Sequence, residues 1–211
     1  MADTGAAHWL GSQLAHPQGL GGWLVGQAMR VANREPIRLA LAALDAGPGD
    51  VALDLGCGPG TGVALLAARA GHVHGIDASE TMIATARRLN RVAVGKGRVS
   101  FATGRFEAIP LADDSVDRIL AANVAYFWND MAAVVAEIRR VVRPGGRLAL
   151  YLTDAETMQL WPFADRRTHR HFDAAGLEAA LLCEGMDRSR IKVARHLLAG
   201  GVAGLVCTVE F

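Results

Sequence analysis

From about residue 50 onward, short apolar runs alternate with longer helical patterns. That alternation is the sequence signature of βαβ units around a mainly parallel sheet buried on both faces. The apolar runs predict strands at Val51–Leu55, His72–Asp77, Val99–Thr103, Val116–Ala121, Arg147–Thr153, Ile191–His196 and Ala203–Glu210. Helices are predicted between them at Gly62–Ala70, Glu80–Val92, Met131–Val142 and Ala174–Glu184. Ser79, Asp130 and Asp173 stand where a side-chain oxygen can accept from the orphan N–H groups of a helix start. Pro144-Gly145-Gly146 predicts a helix stop and a tight turn into the next strand. Two regions fall outside the alternation. Upstream, Pro17, the run Gly19–Gly22 and a helix from Trp23 to Asn33 or beyond read as a cover for the sheet. Asp154–Phe172 is irregular and carries Met158, Trp161, Phe163, His169 and His171.

Composition narrows the class. At 211 residues the length suits one α/β domain with additions. The expected division is 1–48 as N-terminal helical cover or lid, 49–153 as the ligand-binding core, and 154–211 as substrate-side segment and C-terminal strands. Apolar residues make up 51% against 20% charged, which argues for a packed core. The 22 basic and 21 acidic residues leave a net charge of +1, without the electrostatic footprint of a nucleic-acid binder. No apolar run reaches the ~18 residues of a membrane helix. Cys57, Cys183 and Cys207 are widely spaced without a C-x-x-C pair, so neither a disulfide framework nor a metal site is expected. A reducing cytoplasm fits, with no membrane partner, as a monomer or homodimer.

The most informative stretch is Val51-Ala52-Leu53-Asp54-Leu55-Gly56-Cys57-Gly58-Pro59-Gly60-Thr61-Gly62, an apolar strand entering a glycine-rich turn and then a helix. Glycine removes side chains where a ligand must approach the backbone. Asp77 ends the second strand 21 residues after Gly56, near the ~20-residue offset at which an acid reaches a ribose hydroxyl pair. Together these features describe an adenosine-type ligand. The dinucleotide fingerprint G-x-G-x-x-G/A fits poorly, because its last small position falls on Thr61. Asp54 points the same way: a carboxylate there would repel a pyrophosphate and attract the ammonium of an amino-acid ligand. S-adenosylmethionine has that ammonium and no phosphate.

With these residues the chain resembles the class I S-adenosylmethionine-dependent methyltransferases, in the branch that acts on small molecules. The resemblance rests on the Asp54-to-Gly60 loop, on Asp77, on Gly104–Leu111 followed by Asp117, and on Arg143-Pro144-Gly145-Gly146. The Pro17-x-Gly19 segment and the run Asn123-Val124-Ala125-Tyr126-Phe127-Trp128 also resemble a bacterial subgroup of mostly unassigned substrate. The fold implied is a Rossmann-like, seven-stranded, mainly parallel sheet with helices on both faces and a reversed last hairpin. The cofactor implied is S-adenosyl-L-methionine, leaving as S-adenosyl-L-homocysteine. By the same resemblance Gly56, Gly58 and Gly60 would lie along the methionine part, Asp54 beneath it, and Asp77 would accept both ribose hydroxyls. Ala78 and Met82 would flank the adenine, although Met82 also reads as core on helical spacing. After Gly104 the family carries Asp or Asn against the adenine amine, where this chain has Arg105, which has no acceptor; the Phe106 amide would read the ring nitrogen instead. Asn123 would face the sulfonium and the substrate mouth.

Methyl transfer from a sulfonium is an in-line displacement in which alignment does most of the work, with effective molarities of ~10⁵ M and above. A base is needed only for a protic or carbon-acid acceptor. The candidates are Tyr126, His169 and His171. Tyr126, Trp128 and Trp161 would wall the acceptor, with Met29 and Asn33 as lid residues; the alternative is that the aromatics pack against the N-terminal cover. His169 and His171 could equally be a surface pair, and His72 and His74 read as structural. Asn123-Val124-Ala125-Tyr126 lacks the prolines of nucleic-acid aminomethyltransferases, which favours a small-molecule acceptor. The competing readings are a non-catalytic module that binds S-adenosylmethionine or S-adenosylhomocysteine, and a nicotinamide-dependent oxidoreductase.

Overall fold

The structure is a computed structural model that describes residues 33–161, 164 and 169–211. Seven strands form one sheet: β1 (Val51–Leu55), β2 (His72–Asp77), β3 (Val99–Thr103), β4 (Val116–Ala122), β5 (Val142–Thr153), β6 (Ile191–Leu197) and β7 (Ala203–Glu210). Among the described residues the helices of four residues or more are α1 (Arg34–Leu44), α2 (Thr61–Leu66), α3 (Glu80–Leu89), α4 (Arg91–Gly95), α5 (Met131–Val141), α6 (Ala155–Met158) and α7 (Ala174–Cys183). The strand order is β3-β2-β1-β4-β5-β7-β6. The first five strands pair in parallel, whereas β7 runs antiparallel to both β5 and β6. The expected fold class therefore holds, with a single reversed strand at the end of the chain.

The chain leaves β1 toward β2 and β3, then returns to the other side of β1 for β4. Such a reversal opens a crevice beyond the carboxyl ends of the two central strands, where open α/β sheets bind ligands. Apolar clusters cover both faces. One holds Leu41 and Leu44 of α1, Val63 and Leu66 of α2 and Ile83 of α3. The other holds Val134 and Ile138 of α5 and Leu177 and Leu181 of α7. On α1 the buried residues Ile37, Ala40, Leu41 and Leu44 recur at helical spacing, so one stripe faces the sheet. Each large side chain on it is worth roughly 1.5–3 kcal/mol of burial.

Several boundaries differ from expectation, each with a local cause. The described N-terminal helix starts at Arg34, so Asn33 precedes it; Met29 and the rest of the Trp23-to-Asn33 helix lie outside the described residues. Helix α2 stops at Leu66, short of Ala70, where the Arg98 guanidinium takes the Ala67 and Ala70 carbonyls at 2.6 and 2.9 Å. The helix predicted over Glu80–Val92 breaks at Asn90, whose side chain is drawn inward. Pro144-Gly145-Gly146 does not form a separate turn. Helix α5 has already ended at Val141, and these residues form a bulge within β5, where Gly145 takes φ +80 and hydrogen-bonds Phe211. The expected helix caps are present: Ser79 accepts from Met82, Asp130 from Ala133 and Asp173 from Gly176.

Candidate active site

The loop after β1 is shaped by three left-handed glycines, Gly56 (φ +76), Gly58 (φ +50) and Gly60 (φ +84). The Gly56 and Cys57 N–H groups both donate to the Ile76 carbonyl, at 2.8 and 2.9 Å, which draws the loop across the end of β2. The three positions differ in what surrounds them. A Cβ on Gly60 would meet Asn90 and Ala86 within 3 Å, and one on Gly56 would overlap Val124, so these two glycines pack against protein. Over Gly58 there is nothing within 4 Å among the described residues. Cys57 is buried in the core.

Two carboxylates flank this loop. Asp77 accepts from the Gly58 N–H at 2.8 Å through one oxygen and from the Ser79 N–H at 2.9 Å through the other. It thus braces the loop. Asp54 is buried at 3% exposure. Burial, with the Asp77 charge adding and the Val63 N–H opposing, pushes its carboxyl up to about 7. A cation alongside would bring it back down.

The residues expected to meet adenine are spread around β2 and β3. Ala78 is exposed and Met82 is 1% exposed, so the core reading of Met82 describes it as it stands. Gly104 donates to the Asp77 carbonyl at 3.1 Å, and a Cβ there would strike Pro110. Arg105 turns outward, its side chain 78% exposed, and pairs with Glu107 at 3.4 Å. Phe106 is partly buried, edge-on to Trp128 at 6.3 Å. The whole stretch is pinned from α5. Glu137 accepts from the Ile109 N–H, and Arg140 donates to the Ile109 and Leu111 carbonyls, all at 2.8 Å. The Arg140 guanidinium in turn holds the Glu137 carboxyl below its ordinary range.

A second cluster sits at the end of β4. Asn123 adopts φ +58; its side chain donates to Asn33 at 3.0 Å and accepts from the Tyr126 hydroxyl at 2.8 Å. Tyr126 is 5% exposed, and burial pushes its phenol far above the ordinary range. A phenol so disfavoured as an anion is a poor general base. Trp128 corrects the expectation of an acceptor wall: the single 3-10 turn Ala125–Phe127 carries it inward to 0% exposure within the core. His169 corrects the surface-pair reading, being buried against the Phe127 ring at 4.9 Å. His171 is partly buried and hydrogen-bonds the Ala164 carbonyl through Nε2 at 2.7 Å. Trp161 packs, partly buried, against the same core. His72 and His74 share Ser100, at 3.3 and 2.7 Å, on β2 and β3.

Sequence reasoning passed over three residues that hold these groups. Asn90, 6% exposed, clamps Gly60 through its side-chain amide; Thr153 orients Tyr126 through its backbone N–H; the Val63 N–H bonds Asp54. None carries a local signal, because each acts on a group distant in sequence.

Comparison with known proteins agrees with this geometry. A family model described as a methyltransferase domain matches residues 53–150. The uncharacterized methyltransferase YdaC of Bacillus subtilis is 30% identical over 161 residues, covering 74% of this chain and 86% of that protein. Methyltransferase GfsG of Streptomyces halstedii is 41% identical over 108 residues, 51% of this chain. The chain spans 35% and 39% of the length of two of its curated relatives, GfsG being the latter. Among solved structures, an S-adenosylmethionine-dependent methyltransferase from Aquifex aeolicus superposes with a TM-score of 0.64 at 20% identity, covering 99% of this chain and all of that one. The chain belongs to the class I S-adenosylmethionine-dependent methyltransferases.

Proposed function

We propose that the protein binds S-adenosyl-L-methionine over the Gly56–Gly60 loop and transfers its methyl group to a small-molecule acceptor at the carboxyl ends of β4 and β5. The observation that carries this reading is the space over Gly58, open among the described residues, with Asp77 accepting from the Gly58 N–H and Asp54 buried at the end of β1 where the loop begins. The left-handed glycine leaves backbone exposed where a side chain would stand, and two carboxylates suit a ligand that carries an ammonium and a diol. Glu137 and Arg140 hold the Gly104–Leu111 stretch that would close the adenine side. When bound, S-adenosylmethionine supplies an electrophilic methyl on a positively charged sulfur.

The chain's part is alignment. Asp54 would hold the amino-acid end through charge, Asp77 would accept from the ribose hydroxyls, and Asn123 would meet the reacting end. Arg105 is exposed, paired with Glu107 and has no acceptor, so the adenine amine would be met by backbone or water. The net charge of +1 and the buried aromatic residues after β4 favour a small molecule over a nucleic acid. Among the described residues no helix is long and apolar enough to cross a membrane. The three free cysteines favour a reducing cytoplasm.

Calorimetric titration with S-adenosylmethionine, S-adenosylhomocysteine and NAD, on the wild type and Asp77→Ala, tests the assignment. Binding of the first two, lost in the variant, supports it; binding of NAD alone would replace it with a nicotinamide-dependent oxidoreductase. Donor binding without S-adenosylhomocysteine release across an acceptor panel would favour a non-catalytic module.

A further inference from the structure

The end of β4 carries an arrangement that donor binding alone does not require. Asn123 is a non-glycine residue in the left-handed region, a conformation that costs on the order of 1 kcal/mol and that asparagine tolerates better than most. Its carboxamide is held from both sides: Nδ2 donates to Asn33 Oδ1 at 3.0 Å, and Oδ1 accepts from the Tyr126 hydroxyl at 2.8 Å. Its backbone N–H donates to the Tyr151 carbonyl at 2.8 Å. The Tyr126 hydroxyl is oriented in its turn, because the Thr153 N–H donates to its oxygen. Its single proton is therefore left for Asn123, and a hydroxyl donor selects the oxygen of an amide, not the nitrogen. The chain of bonds runs in one direction, from Thr153 through Tyr126 and Asn123 to Asn33, and each bond polarises the next.

A carboxamide offers two N–H donors and two lone pairs. This network uses one of each and leaves one N–H and one lone pair on Asn123. Asn123 is partly exposed at the carboxyl edge, and the adjoining Val124 packs against Gly56 of the loop. Tyr126 is buried behind it.

We propose that Tyr126 is a positioning residue. Its hydroxyl, set by Thr153, fixes the Asn123 carboxamide in the one orientation that presents its remaining N–H and lone pair to the bound ligand, and Asn33 holds the opposite side. This rests on the reading that the site takes S-adenosylmethionine.

The test pairs two measurements on the full chain: the Asn123 side-chain amide resonances by NMR and the affinity for S-adenosylhomocysteine by calorimetry. The variants are Tyr126→Phe, Asn123→Gly, which suits the left-handed backbone, and their combination. Tyr151→Phe is the control, because it removes a neighbouring buried hydroxyl that, among the described residues, makes no hydrogen bond to Tyr126, Asn123 or Asn33. Tyr126→Phe is expected to move the Asn123 amide resonances toward those of a free carboxamide and to weaken binding about five- to tenfold. The double variant should bind no worse than Asn123→Gly alone, because the two residues act as a unit. Tyr151→Phe should leave both readouts unchanged. The proposal is overturned if Tyr126→Phe leaves the amide signals in place, if its effect adds to that of Asn123→Gly, or if Tyr151→Phe acts alike. Should the wild type bind no S-adenosylhomocysteine, the methyl-donor reading fails, while the amide resonances still decide whether Tyr126 orients Asn123.

Discussion

Asn90 donates through its side-chain amide to the Gly60 carbonyl at 3.1 Å and to the Ala86 carbonyl at 2.9 Å. One buried side chain thus ties the last turn of α3 to the last left-handed glycine of the loop. The tie explains why Gly60 has no room for a Cβ and why the helix predicted over Glu80–Val92 breaks at Asn90. Replacing Asn90 with Leu removes the donor and leaves both carbonyls in a dry environment. The expected cost is about 2 kcal/mol. Urea denaturation should show a lower midpoint at unchanged slope, and affinity for S-adenosylhomocysteine should fall because the loop is no longer held.

Gly58 and Gly62 predict different causes of loss for the same substitution. At Gly62 a methyl group would overlap the buried Asp54 carboxylate and press on Leu120. Gly62→Ala should therefore destabilise the fold by about 1–3 kcal/mol and displace Asp54. At Gly58 nothing lies within 4 Å among the described residues, so Gly58→Ala carries the left-handed backbone strain, about 1–2 kcal/mol. Its protein should fold, with a melting temperature lower by a few degrees, yet bind S-adenosylmethionine at least tenfold more weakly. Wild-type affinity in Gly58→Ala would show that the open space is not where the ligand lies.

Asp54 makes both stability and binding depend on pH. Its carboxyl is raised from 3.8 to about 7 in the folded protein. Between those values the folded state keeps a proton that the unfolded state has lost, so this contribution to stability declines as pH climbs from 3.8 to about 7 and is level above. A cationic ligand favours the ionised form. Affinity for S-adenosylmethionine should rise about tenfold from pH 6 to pH 8, with a proton released on binding below pH 7. Calorimetry in buffers of different ionisation enthalpy reads that proton directly. An affinity flat across this range would separate Asp54 from the ligand.

Arg105 stands where the resemblance expects an Asp or Asn against adenine, yet its side chain faces solvent with Glu107 as partner. Exposed pairs of this kind contribute about 0–1 kcal/mol. Arg105→Ala should leave stability within about 0.5 kcal/mol of wild type and leave donor affinity unchanged. A loss of affinity above fivefold in calorimetry would show that the guanidinium reaches the ligand after all.

The sheet was legible because its causes are local. Apolar runs as short as Val99–Thr103 and as long as Ala203–Glu210 are bounded by turn residues, and these strands form over the residues the pattern marks. The glycine loop was legible for the same reason, since left-handed backbone at Gly56, Gly58 and Gly60 can be read from residue type. Asp77 could be placed by its offset from Gly56 alone.

What the sequence by itself determined, then, is the order of elements, the loop and the acid beyond it, because backbone conformation and burial period act over a few residues. Only the tertiary structure decided the rest. Asn33 and Asn123 are 90 residues apart and meet because α1 packs over the ends of β4 and β5. Trp128 faces inward because a single 3-10 turn precedes it, and Arg105 faces outward, a direction its residue type does not encode. Asn90 reaches Gly60 across 30 residues. Hydrogen bonds between side chains distant in sequence depend on how the layers stack, and that stacking is a property of the whole fold.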